Sequence, residues 1–194
     1  YYVSYVFHKQ PMELSQENLN RADTPFERVQ MCKRLSNAIS QLHNLEEPIY
    51  HRLINAKSVV LCDFSDKKFG IVPYLINFDF SKFKAADAKM TVLEQFKNEV
   101  DSLKQEDMEY ICEYDMTDTS YEKMDIYALG ILFIRILSGD LQSPRLDLAD
   151  KLNLIEENYN SKIADLLEMM LSETAIDRPT AKQVYAVLME AYSS

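Results

Sequence analysis

The sequence predicts one mainly helical α+β domain with a small β element, and three stretches support this fold class. Residues 124–137 are apolar at nearly every position, and residues 26–42 carry apolar side chains at helical spacing. Residues 59–78 read as two short strands joined by a turn. A chain of 194 residues is long enough for a single core. We therefore expect one buried helix, flanked by further helices and by one β-hairpin.

The run from Met124 to Leu137 is the element around which we expect the core to form. A surface helix shows one apolar stripe, whereas a helix that is apolar on all sides is buried. At about 1.5 Å per residue the run is roughly 21 Å long, short for a bilayer span. Gly139 stands where a left-handed residue ends a helix. Asp125 and Arg135 interrupt the run, and Asp125 either holds a hydrogen-bonding group or is a solvated first-turn carboxylate.

A second helix and a hairpin precede this run. In Thr24-Pro25-Phe26-Glu27 the threonine can cap a helix, the proline suits its first position, and Glu27 completes a capping box. Val59–Phe64 and Phe69–Phe78 are expected to form the hairpin. Pro73 lacks a backbone N–H, so we expect the second strand to lie at an edge or to carry a bulge.

The ends of the chain and its linkers give weaker patterns. Tyr1–Phe7 is β-branched and aromatic, which favours a strand. The charged stretch Ser81–Glu109 contains a helical stripe, and a polar stretch runs from 140 to 155. Helices are predicted at Ile163–Leu171 and Ala181–Ala191.

Composition limits the classes of partner and compartment. The formal net charge is −10, from 31 acidic and 21 basic residues, which disfavours nucleic acid or an anionic membrane as a partner. Cys32, Cys62 and Cys112 are far apart and lie in apolar surroundings, which is typical of reduced thiols. No apolar run reaches 18 residues. We expect an intracellular, cytoplasmic protein that binds protein partners, and neither nucleic acid nor a membrane.

Six short motifs follow one another between residues 42 and 180. They are Leu42-His43, His51-Arg52-Leu53-Ile54-Asn55-Ala56-Lys57-Ser58, Phe78-Asp79-Phe80-Ser81, Ile111-Cys112-Glu113, Asp125-Ile126-Tyr127-Ala128-Leu129-Gly130 and Asp177-Arg178-Pro179-Thr180. In this order they resemble the LH, H-R-D-L-K-x-x-N, D-F-G, A-P-E, D-x-W/Y-S-x-G and R-P-T/S landmarks of the C-terminal lobe of the eukaryotic-type protein kinase fold.

The resemblance implies a domain organisation. Residues 1–194 would form the kinase-like C-terminal lobe, with 1–7 as a hinge-like strand and 79–113 as a region similar to an activation segment. The N-terminal lobe would lie outside this sequence, so we expect the chain to be a fragment of a longer protein. The helical insert at 84–104 would cover the cleft, present a partner surface or simply pack on the core.

The resemblance also assigns structural roles. Asp125 would hydrogen-bond the backbone of the catalytic loop, and Glu113 would form a buried ion pair with Arg178. His51 and Arg52 would pack and hold the loop. An alternative role for Arg52 is to anchor a phosphorylated residue of the activation segment.

The positions that would do chemistry are altered. Phosphoryl transfer relies on positioning and on charge neutralisation, and Leu53 stands where the family has the proton-accepting aspartate. Asn55 replaces a lysine, and Ser58 replaces an asparagine that binds magnesium. Asp79 remains as the candidate ligand for magnesium and nucleotide, or as a structural carboxylate. The resemblance thus implies a pseudokinase with no catalytic residue and no expected cofactor, with ATP and magnesium binding at Asp79 as the alternative.

Three hypotheses of function follow. The first is a degenerate kinase-like domain that acts as a scaffold or an allosteric binding module. The second is an atypical active protein kinase that works when joined to an N-terminal lobe. The third is a helical interaction domain that only mimics the landmarks, in which Asp125 would be solvated and Glu113 would lie far from Arg178.

Overall fold

The computed structural model describes residues 10–64, 70–83, 105–112, 121–143 and 147–191. These ranges contain six α-helices and five short strands. The helices are α1 (Gln16–Leu19), α2 (Pro25–His43), α3 (Tyr121–Ser138), α4 (Leu148–Asn158), α5 (Ser161–Met170) and α6 (Ala181–Ala191). The strands are β1 (Met12–Glu13), β2 (Ile49–Tyr50), β3 (Val59–Phe64), β4 (Gly70–Leu75) and β5 (Lys82–Phe83). The strand predicted at Tyr1–Phe7 and the insert at 84–104 lie outside the described residues.

Helix α3 is the centre of the core, as predicted from its all-round apolar sequence. Ile126, Leu129, Leu132, Phe133 and Ile134 have no exposed surface. The helix packs against α2, α4 and α5 and against the 3₁₀ helix Gln105–Tyr110. Because other elements surround α3, its apolar residues find partners in every direction. The described fold is mainly helical with a small antiparallel sheet, which agrees with the predicted class.

Gly139 ends α3 in the predicted left-handed conformation, with φ of 72°. Its N–H donates to the carbonyl of Ile136 at 3.2 Å, and the N–H of Asp140 donates to the carbonyl of Arg135 at 3.0 Å. This pair of bonds is the Schellman arrangement, which satisfies two of the carbonyls at a helix end.

Helix α2 begins at the predicted capping box. The side chain of Thr24 accepts the N–H of Glu27 at 3.2 Å, and the Glu27 carboxylate accepts the N–H of Thr24 at 3.3 Å. Pro25 occupies the first helical position. The reciprocal bonds satisfy two donors at the helix start, so the sequence signal and the local structure agree.

The hairpin of β3 and β4 is also present, with Leu61 opposite Pro73 in an antiparallel register. The second strand is shorter than predicted and ends at Leu75. It is the edge of a three-stranded sheet of order β1-β3-β4, which is the position that Pro73 favours. Strand β1, which the sequence did not indicate, pairs with the other side of β3.

One predicted segment differs from the structure, and another is described only at its end. The stretch from 140 to 155 was expected to be a polar linker, but it contains most of α4, whose first turn is capped by Asp147 and whose Ile155 is fully buried. At the end of the charged stretch the structure has the 3₁₀ helix Gln105–Tyr110. Among the described helices, none has the length and hydrophobicity that a membrane crossing requires.

Candidate functional site

The loop from His51 to Ser58 is held by a carboxylate at the start of α3. Asp125 is completely buried and accepts hydrogen bonds from the N–H of His51 at 2.8 Å and from the N–H of Arg52 at 2.6 Å. A buried carboxylate is tolerated when hydrogen bonds compensate for its lost hydration. Asp125 therefore fixes the backbone at the beginning of this loop, which is the contact that the kinase resemblance implies.

His43, at the end of α2, completes the environment of this carboxylate. Its Nε2 lies 2.9 Å from Oδ2 of Asp125, and its side chain is 4% exposed. The ring also packs against that of Tyr50, with the centroids 5.2 Å apart. Its place between α2, β2 and α3 is that of a packing residue.

Arg52 connects the loop to the segment after the hairpin. Its backbone is left-handed, with φ of 70°, a conformation that side chains other than glycine adopt at a cost. Its guanidinium donates to the carbonyl of Phe80 at 3.1 Å and lies over the ring of Tyr121 at 4.6 Å. The bond between Asp125 and the N–H of Arg52 supports this backbone conformation.

The buried His51 also connects the loop to the segment after the hairpin. Nε2 donates to the carbonyl of Ile76 at 2.8 Å, so Nδ1 is the atom that accepts the N–H of Leu53 at 3.3 Å. Burial lowers the pKa of His51, and the nearby Asp125 carboxylate and the Ile76 carbonyl oppose the shift. The ring also contacts that of Phe78 at a centroid distance of 4.8 Å. His51 is thus a neutral ring that positions the loop beside residues 78–80.

Leu53 is the half-buried residue that follows this fixed dipeptide. Its backbone N–H is bonded to His51, so its position in the loop is set by the same contacts. The side chain carries no atom that can accept a proton. At this point of the loop, the leucine cannot serve as a general base.

Asn55 and Ser58 bond to each other. The side-chain oxygen of Asn55 accepts the N–H groups of Lys57 and Ser58 at 2.9 and 3.0 Å. The Ser58 hydroxyl donates to the Asn55 carbonyl at 2.8 Å and accepts the Asn55 N–H at 2.9 Å. Both residues are buried. The Ser58 hydroxyl, at the position where the resemblance places a magnesium-binding asparagine, is engaged in holding the 3₁₀ turn Ala56–Ser58.

Asp79 is exposed in the short 3₁₀ helix Phe78–Phe80. No hydrogen bond or ion pair joins its carboxylate to another described residue, so the side chain is open to solvent. Within the described ranges, no cluster of three or more histidine, cysteine or acidic side chains could hold a metal ion. The structure brings residues 78–80 to the loop through Arg52 and His51, but the only candidate metal ligand in that segment is Asp79.

Arg178, predicted to pair with Glu113, is buried between the last two described helices and α3. Its Nε donates to the carbonyl of Ser172 at 2.8 Å, and Nη1 donates to the carbonyl of Lys123 at 3.0 Å. The guanidinium also lies 5.0 Å from the ring centroid of Tyr127. Glu113 lies outside the described residues, so the ion pair stays a prediction.

Sequence reasoning missed three side chains of the 3₁₀ helix Gln105–Tyr110. The Asp107 carboxylate accepts from the amide of Asn55 at 3.0 Å and lies 3.4 Å from the ammonium of Lys57. Glu109 pairs with the buried Arg135, and Tyr110 is buried in the hydrophobic core. A periodic pattern cannot indicate such contacts, but the buried charge of Arg135 was a signal that an acid had to lie nearby.

Comparison with known proteins gives one partial similarity of interest. No protein-family model matches the sequence. The chain is similar to calmodulin-binding receptor-like cytoplasmic kinase 1 of Arabidopsis thaliana, with 28% identity over 132 residues. The match covers 62% of this chain and 25% of that kinase, so the chain spans about a quarter of the relative. This similarity indicates a kinase-like relation.

Proposed function

We propose that this chain is part of a catalytically degenerate, protein-kinase-like domain that acts as a scaffold or a regulatory binding module for a protein partner. The kinase-like relation and the motif order support the domain type. In this interpretation the lobe keeps the contacts that build a catalytic loop and lacks the groups that would use it.

The observation that carries the proposal is the position of Leu53. It follows His51 and Arg52, whose N–H groups are both bound to Asp125, and these contacts match the loop at which a kinase presents its proton acceptor. General acid–base catalysis typically contributes about 10² to 10⁴ in rate. A leucine at this point removes that contribution.

The neighbouring polar residues support the same conclusion. Asn55 and Ser58 are buried and bonded to each other, so neither is free to contact a phosphate or a magnesium ion without breaking the turn. Loss of the base, of the lysine and of the metal ligand together is difficult to offset by positioning alone.

A transfer assay tests the proposal directly. The full-length protein is incubated with labelled ATP, magnesium and a protein substrate. We expect no transfer above background in the wild type, in Asp79→Asn or in the matched control Asp165→Asn, which alters an exposed carboxylate of α5. Transfer that Asp79→Asn abolishes and Asp165→Asn leaves intact would overturn the proposal.

An atypical active protein kinase is the second candidate, and the exposure of Asp79 favours it. Its carboxylate is open to solvent beside the loop, so it could take a magnesium ion that carries ATP. A thermal-shift titration of the protein with both lobes separates the candidates. Stabilisation that requires both ATP and magnesium, and that Asp79→Asn removes, would support nucleotide binding; no shift would count against it.

The third hypothesis, a helical domain that only mimics kinase landmarks, requires a solvated Asp125. That carboxylate has no exposed surface and accepts two backbone N–H groups. The burial of Asp125 therefore argues against the third hypothesis and supports a role for this residue in holding the loop.

A further inference from the structure

The Asp107 carboxylate contacts the polar groups of the turn at 55–58 from another segment of the chain. Its Oδ1 accepts from the side-chain amide of Asn55 at 3.0 Å and lies 3.4 Å from the Lys57 ammonium. The Asp107 side chain is 12% exposed, whereas that of Lys57 is 53% exposed. The hydrogen bond to the buried Asn55 is therefore the stronger contact, since exposed ion pairs contribute little.

The contact with Asp107 also sets the orientation of the Asn55 amide. An amide side chain has one donating and one accepting end. With its nitrogen toward Asp107, the oxygen of Asn55 faces the N–H groups of Lys57 and Ser58. If the amide turned over, it would lose its bond to Asp107 and both backbone bonds. The acid thus supports the hydrogen bonds that form the turn.

Two further side chains attach the same segment to the core. Glu109 forms two bonds of 2.7 Å with the guanidinium of Arg135 on α3, and Tyr110 is buried in the hydrophobic core. The segment is a 3₁₀ helix of six residues, and runs longer than three or four residues are uncommon because their own hydrogen bonds are poorly aligned. Its conformation therefore depends on these side-chain contacts.

We propose that Gln105–Tyr110 is an intramolecular latch that keeps the turn at 55–58 closed through Asp107. In the closed state the Asp107 carboxylate is bound to the Asn55 amide and the Lys57 ammonium. An anionic group of a partner therefore cannot bind both of them at once. The latch rests on the proposed function, because it would give a binding module one fixed conformation of this loop. When Gln105–Tyr110 moves away, the Asn55 amide and the Lys57 ammonium become available to a partner.

Hydrogen exchange on the full chain tests the latch. Asp107→Ala removes the acceptor, and we expect the N–H groups of Lys57 and Ser58 to exchange about tenfold faster, the equivalent of one lost hydrogen bond. Asp107→Asn keeps an oxygen that can accept from Asn55, so its rates should stay near those of the wild type. The matched control Asp165→Ala, on the exposed face of α5, should leave them unchanged.

The exchange rates of amides at the centre of α3 distinguish local opening of the turn from global unfolding. In Asp107→Ala the N–H groups of Leu129 and Leu132 should keep their wild-type rates, since these buried residues report on the whole core. Equal acceleration of the α3 amides and the turn, or unchanged rates for Lys57 and Ser58, would overturn the latch.

A second test uses only the wild-type protein, so it does not depend on whether a variant folds. The N–H of Ser58 reports on the turn, and the N–H of Ile111, which donates to Met108 at 3.1 Å, reports on the segment. A latch predicts that both open with the same free energy and the same dependence on urea; different values would contradict it. These results are independent of phosphoryl transfer, so failure of the latch and failure of the proposed function can be told apart.

Discussion

Arg135 and Glu109 form a two-point ion pair between the buried helix α3 and the 3₁₀ helix Gln105–Tyr110. Nε and Nη2 of the arginine each lie 2.7 Å from a carboxylate oxygen. The arginine is 4% exposed and also donates to the carbonyls of Asp140 and Ser143. A charge in the core is thus surrounded by acceptors, the condition under which burial is tolerated.

Replacing Glu109 by glutamine should destabilise the protein. The guanidinium would lose its charged partner, and glutamine would offer it one accepting oxygen in place of the two carboxylate oxygens. We expect a loss of about 2–3 kcal/mol in the free energy of unfolding, measured by urea denaturation. The control Glu157→Gln, which changes an exposed acid of α4, should stay within about 0.5 kcal/mol of the wild type. Equal stability of both variants would show that the pair contributes nothing.

Removing the charge of Asp125 should have a larger effect. Asparagine offers one oxygen to the two N–H groups that the carboxylate now accepts, and its amide nitrogen would face the other donor. We expect Asp125→Asn to lower the free energy of unfolding by about 2–4 kcal/mol. The matched variant is Asp165→Asn, which should behave as the wild type. A loss below 1 kcal/mol for Asp125→Asn would mean that the loop is held by other contacts.

The sequence predicted those elements whose signal is local or periodic. The capping box at Thr24, the left-handed Gly139 and the all-round apolar helix each depend on neighbouring residues, and each is present. The apolar run left Asp125 either hydrogen-bonded to another group or solvated in the first turn of the helix, and the structure shows it buried and hydrogen-bonded. Its two backbone partners lie more than seventy positions away, and only the resemblance to the kinase lobe indicated where they are.

The missed features join residues that no short pattern connects. Asp107 and Asn55 are 52 positions apart, and Glu109 and Arg135 are 26 apart. Helix α4 was missed because polar residues interrupt the helical spacing of its apolar residues. Its single fully buried side chain is Ile155. Neither hydrophobic periodicity nor turn chemistry reports on a polar contact between distant segments.

Stability should depend on pH through His51. Burial lowers its pKa below the ordinary value of 6.5, so the folded state binds the proton less readily than the unfolded state. This contribution is therefore complete above about pH 6.5 and is lost as the pH falls through that value toward the lower folded pKa. Protonation would also place an Nδ1–H against the N–H of Leu53, which Nδ1 now accepts.

The measurement is the difference in free energy of unfolding between wild type and His51→Gln from pH 8 to pH 5. The advantage of the wild type should shrink as the pH falls, because glutamine does not titrate. A difference that stays constant or grows at low pH would contradict the neutral, buried ring.

Gly139 and Gly70 form a natural comparison for backbone strain. Both have positive φ, 72° and 64°. A Cβ at Gly139 would lie 2.5 Å from Nη1 of Arg28, whereas at Gly70 the nearest atom is an oxygen of Glu27 at 4.0 Å. Gly70→Ala should therefore cost about 1–2 kcal/mol from backbone strain alone.

Gly139→Ala should cost about 1 kcal/mol more than Gly70→Ala. The Arg28 guanidinium would have to move, which weakens its bond of 3.0 Å to the carbonyl of Ala22. Thermal or urea unfolding of the two variants gives the difference. If they were equally destabilised, the arginine would have moved at no cost and the close approach would not matter.

Placing an acid at position 53 should not create a kinase. Leu53→Asp would supply the proton acceptor that the proposed function describes as missing. Asn55 and Ser58 would still be bonded to each other, and Asn55 would still be bonded to Asp107. The transferring phosphate would lack its cation, and magnesium would lack its second ligand. In the full-length protein with labelled ATP and magnesium, we expect the variant to remain at the background of the wild type. A gain of about 10² or more would show that the leucine alone had removed the activity, and the loop would then be a nearly intact catalytic site instead of a degenerate one.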